Sequence, residues 1–222
     1  MSGFFSSTIG RKYAMAISAM FLILFLVMHL SVNMISVFSP DAFNEASYFM
    51  GYNPLIQFLM QPILIFAVVF HFVMGFVLEA KNNKARPVKY AVNGAASNST
   101  WMSRNMIISG AVILAFLALH FYDFWVHEMQ YKYVPGNGDP NDVGRFWEEL
   151  HAKFADLWRV IFYVIAFVLL GLHLSHGFQS SFQSIGARHP KYTPVIKAFG
   201  NWYSVLIPLG FIFIAIFHYI TQ

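Results

Sequence analysis

Five stretches of the chain, about 13–37, 55–80, 104–127, 155–180 and 198–220, are almost continuously apolar, and polar residues gather between them. Each runs about 23 to 26 residues. A helix rising about 1.5 Å per residue needs roughly 20 residues to cross the hydrocarbon of a bilayer. Lipid gives a bare backbone no hydrogen-bond partner, so runs this long must be helices. The pattern predicts an all-α membrane protein with five transmembrane helices, and one transmembrane unit over residues 1–222. The connections leave no room for a soluble domain: the longest, near 128–154, is under thirty residues. The first run is too long for a cleavable signal and no small-residue cleavage site follows it. Pro62 and Pro208 lie inside runs two and five and predict kinks there.

Composition agrees. Of 222 residues 58% are hydrophobic and 11% charged, with mean hydropathy +0.56; soluble domains carry about a quarter charged residues. There is no cysteine. That excludes a disulfide framework, thiolate-held iron–sulfur clusters and the C-x-x-C-H attachment of c-type haem. A bound metal would have to use histidine, carboxylate or methionine.

Charge sets a direction. The N-terminus and the connections 81–104 and 181–197 hold ten of the fourteen Lys and Arg and one acid, Glu79, a net +9. The opposite connections hold Lys132, Arg145, Lys153 and Arg159 with the other nine acids, a net −5. The positive-inside rule then puts the N-terminus in the cytoplasm and the C-terminus outside. The basic residues are a topology signal, so a pI of 9.3 is no sign of a nucleic-acid partner.

Four histidines stand deep in four different runs: His29, His71, His120 and His173. Ionisable residues within spans are rare and usually face a bundle interior for a functional reason. Runs one and three lead outward, which places His29 and His120 about 24 Å from the cytoplasmic end at 1.5 Å per residue. Runs two and four lead inward, which places His71 and His173 near the cytoplasmic end. A single membrane histidine is ordinarily a hydrogen-bonding partner between helices. Four at paired depths on four consecutive helices point instead to axial ligands: two haems, one per leaflet, in an up-down bundle of the first four helices. Gly75, Gly171 and Gly177, near the inner pair, would leave room for a flat ring. His176 competes with His173 as a ligand. His218 is expected to be structural, and His151 and His189 to be solvent-exposed.

Three stretches carry a family resemblance. They are Met28-His29-Leu30-Ser31-Val32-Asn33, Phe70-His71 with Gly75 and then Ala80-Lys81-Asn82-Asn83, and Leu172-His173-Leu174-Ser175-His176-Gly177-Phe178. In order and spacing the chain resembles, over essentially its whole length, the di-haem cytochrome b anchor of succinate dehydrogenases and fumarate reductases. The likeness is to the five-helix, Bacteroidetes-like succinate:menaquinone type. It implies two haem b groups, with His29 and His120 on the outer (distal) iron and His71 and His173 on the inner (proximal) one. It also favours His173 over His176, through the S-x-G that follows. It implies a quinone-reactive membrane subunit in a respiratory complex of the tricarboxylic acid cycle. A flavoprotein subunit with FAD and an iron–sulfur subunit would dock on the basic cytoplasmic face, with menaquinone as acceptor and membrane lipid around the helices. Outward electron movement would then draw on the membrane potential, about 2.3 kcal/mol per charge per 100 mV. Gly171 stands where some fumarate-reducing relatives have a proton-carrying glutamate, which tilts the resemblance toward succinate oxidation.

The quinone site is expected near the outer end, among Tyr48, Gln57, His127 and Arg159, with Trp125 and Trp158 as walls. At the inner end Arg11 and Arg104, beside Trp101, are the candidates for holding haem propionates. Ser18 and Ser175 are expected to bond carbonyls of their own helices. Two other readings stay open: the cytochrome b anchor of another respiratory dehydrogenase, such as a hydrogenase or formate dehydrogenase, and a haem-free transporter with histidine proton sites.

Overall fold

A computed structural model of the chain describes residues 7–84, 105–139 and 141–222. Among these there are seven helices and no strand. We label them α1 (Thr8–Phe38), α2 (Pro40–Tyr52), α3 (Ile56–Lys84), α4 (Met106–Tyr133), α5 (Arg145–Lys153), α6 (Leu157–Ser184) and α7 (Thr193–Ile220). Helices α1, α3, α4, α6 and α7 are each long and apolar enough to cross a membrane. The chain is therefore an all-α, multi-pass membrane protein. The spans are longer than their apolar runs and extend into polar sequence. The Ser7 hydroxyl accepts from the Gly10 amide at 2.9 Å and starts α1, while α4 continues through polar residues to Tyr133.

Packing is cyclic among four helices: α1 lies against α3, α3 against α4, α4 against α6 and α6 against α1. The two diagonals of that square are therefore α1 with α4 and α3 with α6. Helix α7 packs outside, chiefly on α6 and then on α1. The α6–α7 seam holds most of the buried apolar core, including Tyr163, Phe167, Leu174 and Phe178 from one side and Tyr203, Ile207, Phe211 and Ile214 from the other. Leu24, Phe58, Phe66 and Trp202 point outward, as helices solvated by lipid require.

Pro62 lies two residues beyond a turn of π-helix, Ile56–Met60, and α7 continues as helix through Pro208. Gly171 departs from the sequence reading, because it faces α7 rather than the space beside the inner histidines. A Cβ there would lie 2.9 Å from the Ser204 carbonyl oxygen and 3.4 Å from Pro208 Cγ. Pro208 has no N–H to give that carbonyl, and the bare Gly171 backbone lets α6 close onto the gap.

Helices α2 and α5 form a lid over the end of the bundle that bears the acidic connections. Ser39 caps α2 by accepting from the Ala42 amide, with Pro40 in the first turn. Asn44 then ties the two lid helices: its Nδ2 donates to the Gly144 carbonyl at 2.8 Å and its Oδ1 accepts from the Trp147 amide at 2.7 Å. Trp147 Nε1 donates to the Ser36 carbonyl at 2.9 Å and fixes the lid to α1.

Candidate functional site

The four span histidines fall on the diagonals of the square: His29 on α1 opposite His120 on α4, and His71 on α3 opposite His173 on α6. All four are half-buried.

The inner pair is oriented by two serines. The Ser18 hydroxyl donates to the Met15 carbonyl at 2.8 Å and lies 3.1 Å from His71 Nδ1. The Ser109 hydroxyl donates to the Met106 carbonyl at 3.0 Å and lies 3.1 Å from His173 Nδ1. A hydroxyl has one hydrogen. Given to the carbonyl, it leaves the serine oxygen to accept from the imidazole, an arrangement with the proton on Nδ1 and the Nε2 lone pair free. That is the tautomer a metal ligand needs, held by a partner on its other nitrogen. Ser18 therefore does more than bond its own helix, whereas Ser175 bonds only the Leu172 carbonyl. Opposite His173 stands Gly110, where a Cβ would lie 3.7 Å from His173 Cε1. Gly75 and Gly177 likewise open onto neighbouring bundle helices, at Met15 and Met106.

The outer pair meets directly. The His29 and His120 ring centres are 5.7 Å apart at 83°. Metal–imidazole bonds of about 2.0–2.1 Å put the centres of two rings on opposite sides of one metal about 6.4 Å apart, somewhat wider than this contact. Phe25 stacks on His29 and Phe116 on His120, and a π-helical segment, Phe121–Val126, begins immediately after His120. Such segments recur at functional sites. His120 Nδ1 is buried with no partner.

The two levels are related by a simple register. Ser18 precedes His29 by eleven residues on α1, and Ser109 precedes His120 by eleven on α4. Eleven residues make about three turns and about 16 Å, so each helix presents an inner-level serine and an outer-level histidine along one stripe.

These residues fit two haems. Among the described residues no three His, Cys, Asp or Glu gather as a metal cluster, and a bis-histidine haem needs only two protein ligands. Arg11, near the start of α1, has its buried Nε unpartnered, the feature expected of a propionate partner. Arg104 and Trp101 lie outside the described residues.

The outer-end candidates do not converge on one point. Tyr48 stacks on Tyr52 with ring centres 4.5 Å apart. Gln57 donates to the Tyr133 hydroxyl, and with Tyr52, Lys132 and Tyr133 it lines a cavity of about 200 Å³. His127 lies 3.5 Å from Glu149. Arg159 is engaged twice, Nε to Asp123 Oδ2 at 3.0 Å and an Nη to Asp156 at 2.6 Å. Trp125 and Trp158 face outward, the latter under the Arg159 guanidinium. Asp123 is 0% exposed. Its Oδ2 also accepts from the Tyr163 hydroxyl at 3.0 Å, and its Oδ1 has no partner. At the lid, Arg145 pairs with Glu128 and Glu149; burial opposes its charge, yet the bonds to Glu149 and Glu128 hold its pKa above the ordinary value. Burial likewise raises the Tyr52 hydroxyl.

No family model, curated protein or solved structure matches the chain.

Sequence reasoning missed Ser109, Gly110 and Asp123. Asp123 had a signal, a carboxylate one turn beyond His120 inside an apolar run. Ser109 had a fainter one, a serine at the depth of His173 on a neighbouring helix. His218, expected to be structural, and His151, expected to be free in solvent, are bonded to each other, Nδ1 to Nδ1 at 3.1 Å.

Proposed function

We propose that the chain is the di-haem cytochrome b membrane subunit of a succinate:menaquinone oxidoreductase, set in a bacterial cytoplasmic membrane with its N-terminus inside and its C-terminus outside. One observation carries the reading: four span histidines lie on the two diagonals of one four-helix square, at two levels about 16 Å apart. His71 and His173 hold the inner iron, their Nε2 atoms presented by Ser18 and Ser109. His29 and His120 hold the outer iron. Arg11 balances an inner propionate. When bound, the two haems b supply a one-electron relay across the apolar layer.

The other residues position and insulate. Phe25 and Phe116 stack the outer ligands into fixed orientations and keep water from them. The basic end receives the flavoprotein and iron–sulfur subunits by charge. The cavity of Tyr52, Gln57, Lys132 and Tyr133 takes the menaquinone head group, with the Gln57 amide and the Lys132 ammonium as donors to a carbonyl. Its volume is below the range of about 300–1,000 Å³ of drug-sized sites, which suits a ring whose tail lies in lipid.

Purification of the tagged chain from its native membrane tests the reading. The expected preparation contains a flavoprotein and an iron–sulfur protein, gives a b-type reduced-minus-oxidised spectrum, and has its haem reduced by succinate. A b-type spectrum with a different partner dehydrogenase would retain the haem sites and overturn the succinate assignment. A colourless preparation would overturn both.

A further inference from the structure

A second histidine pair lies outward of the first. His218 on α7 is 0% exposed and touches three elements. Its Nε2 lies 2.9 Å from the Ser36 hydroxyl on α1, and that hydroxyl donates to the Asn33 carbonyl at 2.6 Å. The serine hydrogen is again spent, so Nε2 carries the proton and Nδ1 of neutral His218 is an acceptor. The contact at 3.1 Å is then His151 Nδ1–H donating to His218 Nδ1. His151, in the lid helix α5, stacks on Trp147 and is half-exposed. The result is a chain of defined polarity from the acidic-end surface to α1: His151 to His218, His218 to Ser36, Ser36 to the Asn33 carbonyl. The Asn33 side chain in turn donates to the His29 carbonyl at 2.8 Å.

The register places this chain relative to the outer ligands. His29 touches Phe211 of α7, with ring centres 5.6 Å apart, and Ser36 touches His218. Both steps are seven residues, 29 to 36 on α1 and 211 to 218 on α7. The two helices run side by side in the same direction, and His218 lies about two turns, or about 10 Å, outward of His29.

We propose that His151 and His218 form a redox-linked proton site: the pair takes one proton from the water at the acidic end when the iron held by His29 and His120 gains one electron, and returns it when that electron leaves. This rests on the haem reading of His29 and His120. The proton enters at His151 Nε2, and transfer along Nδ1–H···Nδ1 moves the positive charge inward to His218. Trp147, Phe154 and Phe217 surround His218. An apolar site disfavours the charged pair until a negative charge appears nearby.

Most of the other charges around the pair are held by partners of opposite sign. On α5, Arg145 holds Glu128 and Glu149, and Glu149 also meets His127, which leaves Glu148 and Lys153 as that helix's remaining charges. On the α6 side Arg159 holds Asp123 and Asp156, and the Tyr163 hydroxyl is bonded to Asp123. On α1 the facing groups are Ser36 and Asn33, and just beyond α7 the neighbour is Gln222, which donates to both the His151 and His218 carbonyls. Neither imidazole has a carboxylate partner among the described residues.

Redox titration of each haem at a series of pH values, in the purified complex, is the test. In the wild type the outer midpoint falls with rising pH between the pKa values of the oxidised and reduced forms, with a slope approaching about 59 mV per unit for one proton per electron. His151→Asn keeps a donor near the Nδ1 position and cannot titrate; His218→Gln keeps the bond to Ser36. Each variant flattens the outer slope, lowers proton uptake on reduction as read by an indicator dye, and leaves the inner slope as it was. If His218→Gln fails to assemble, the half-exposed His151→Asn decides. Intact b-type bands with an outer slope equal to wild type would overturn this proposal alone. Absence of b-type bands from the wild type would overturn the haem reading beneath it.

Discussion

Ser18 and Ser109 each have one hydrogen, given to a backbone carbonyl, and each therefore fixes the proton of a histidine on another helix. Replacing either serine by alanine leaves a buried Nδ1–H without its acceptor. Loss of such outer partners costs about 10- to 100-fold in metal affinity, so Ser18→Ala and Ser109→Ala should each weaken inner-haem retention in a competition assay and spare the outer haem. Equal weakening of both haems would contradict the assignment of these serines to one level. The Asp123–Arg159 pair makes a second residue-scale prediction. Arg159→Leu strands a fully buried carboxylate beside a single tyrosine hydroxyl, a change that costs about 3–5 kcal/mol. Asp123→Asn costs less, because Arg159 keeps Asp156 and the Lys153 carbonyl. Thermal unfolding in detergent should rank them in that order; the reverse order would contradict it. Histidine depth was legible because arithmetic on span lengths needs no contacts. The serines were not: a hydroxyl in a membrane helix bonds its own backbone in any case, and only the neighbouring helix reveals a second partner.

At the scale of elements, the seam between α6 and α7 depends on a missing side chain meeting a missing hydrogen bond. Gly171→Ala would drive a methyl against the Ser204 carbonyl, which is backbone and cannot swing aside. Overpacking of that kind costs about 1–3 kcal/mol. Gly177→Ala meets only the tip of Met106 at 3.4 Å and should be nearly neutral. Melting temperatures of the two variants compare them directly, and equal losses would refute the seam argument. The same contact explains why a glutamate has no place at position 171. The five spans were legible from apolar runs, but the lid helices were not. The signal for α2 was present in Ser39-Pro40-Asp41, a cap, a first-turn proline and an acid at the helix's positive end. Helix α5 is short and polar outside its buried Leu150 and Trp147 contacts, so its helicity comes from docking on α1 and α2.

Across the whole molecule, four spans make a square, a fifth helix braces one side, and charge separates the ends. Basic residues collect at the end nearer His71 and His173, acidic ones at the lid above His29 and His120. On the proposed haem reading, diagonal pairing makes each haem depend on two helices that do not neighbour each other, so each histidine should affect one level only. The decisive measurement is the reduced-minus-oxidised spectrum, with redox titration, of four single variants: His29→Ala, His120→Ala, His71→Ala and His173→Ala. The first two should lose the same haem component and the last two the other, each retaining about half of the wild-type haem. Loss of one component by His29→Ala and a different one by His120→Ala, in bundles that still assemble, would contradict the diagonal pairing.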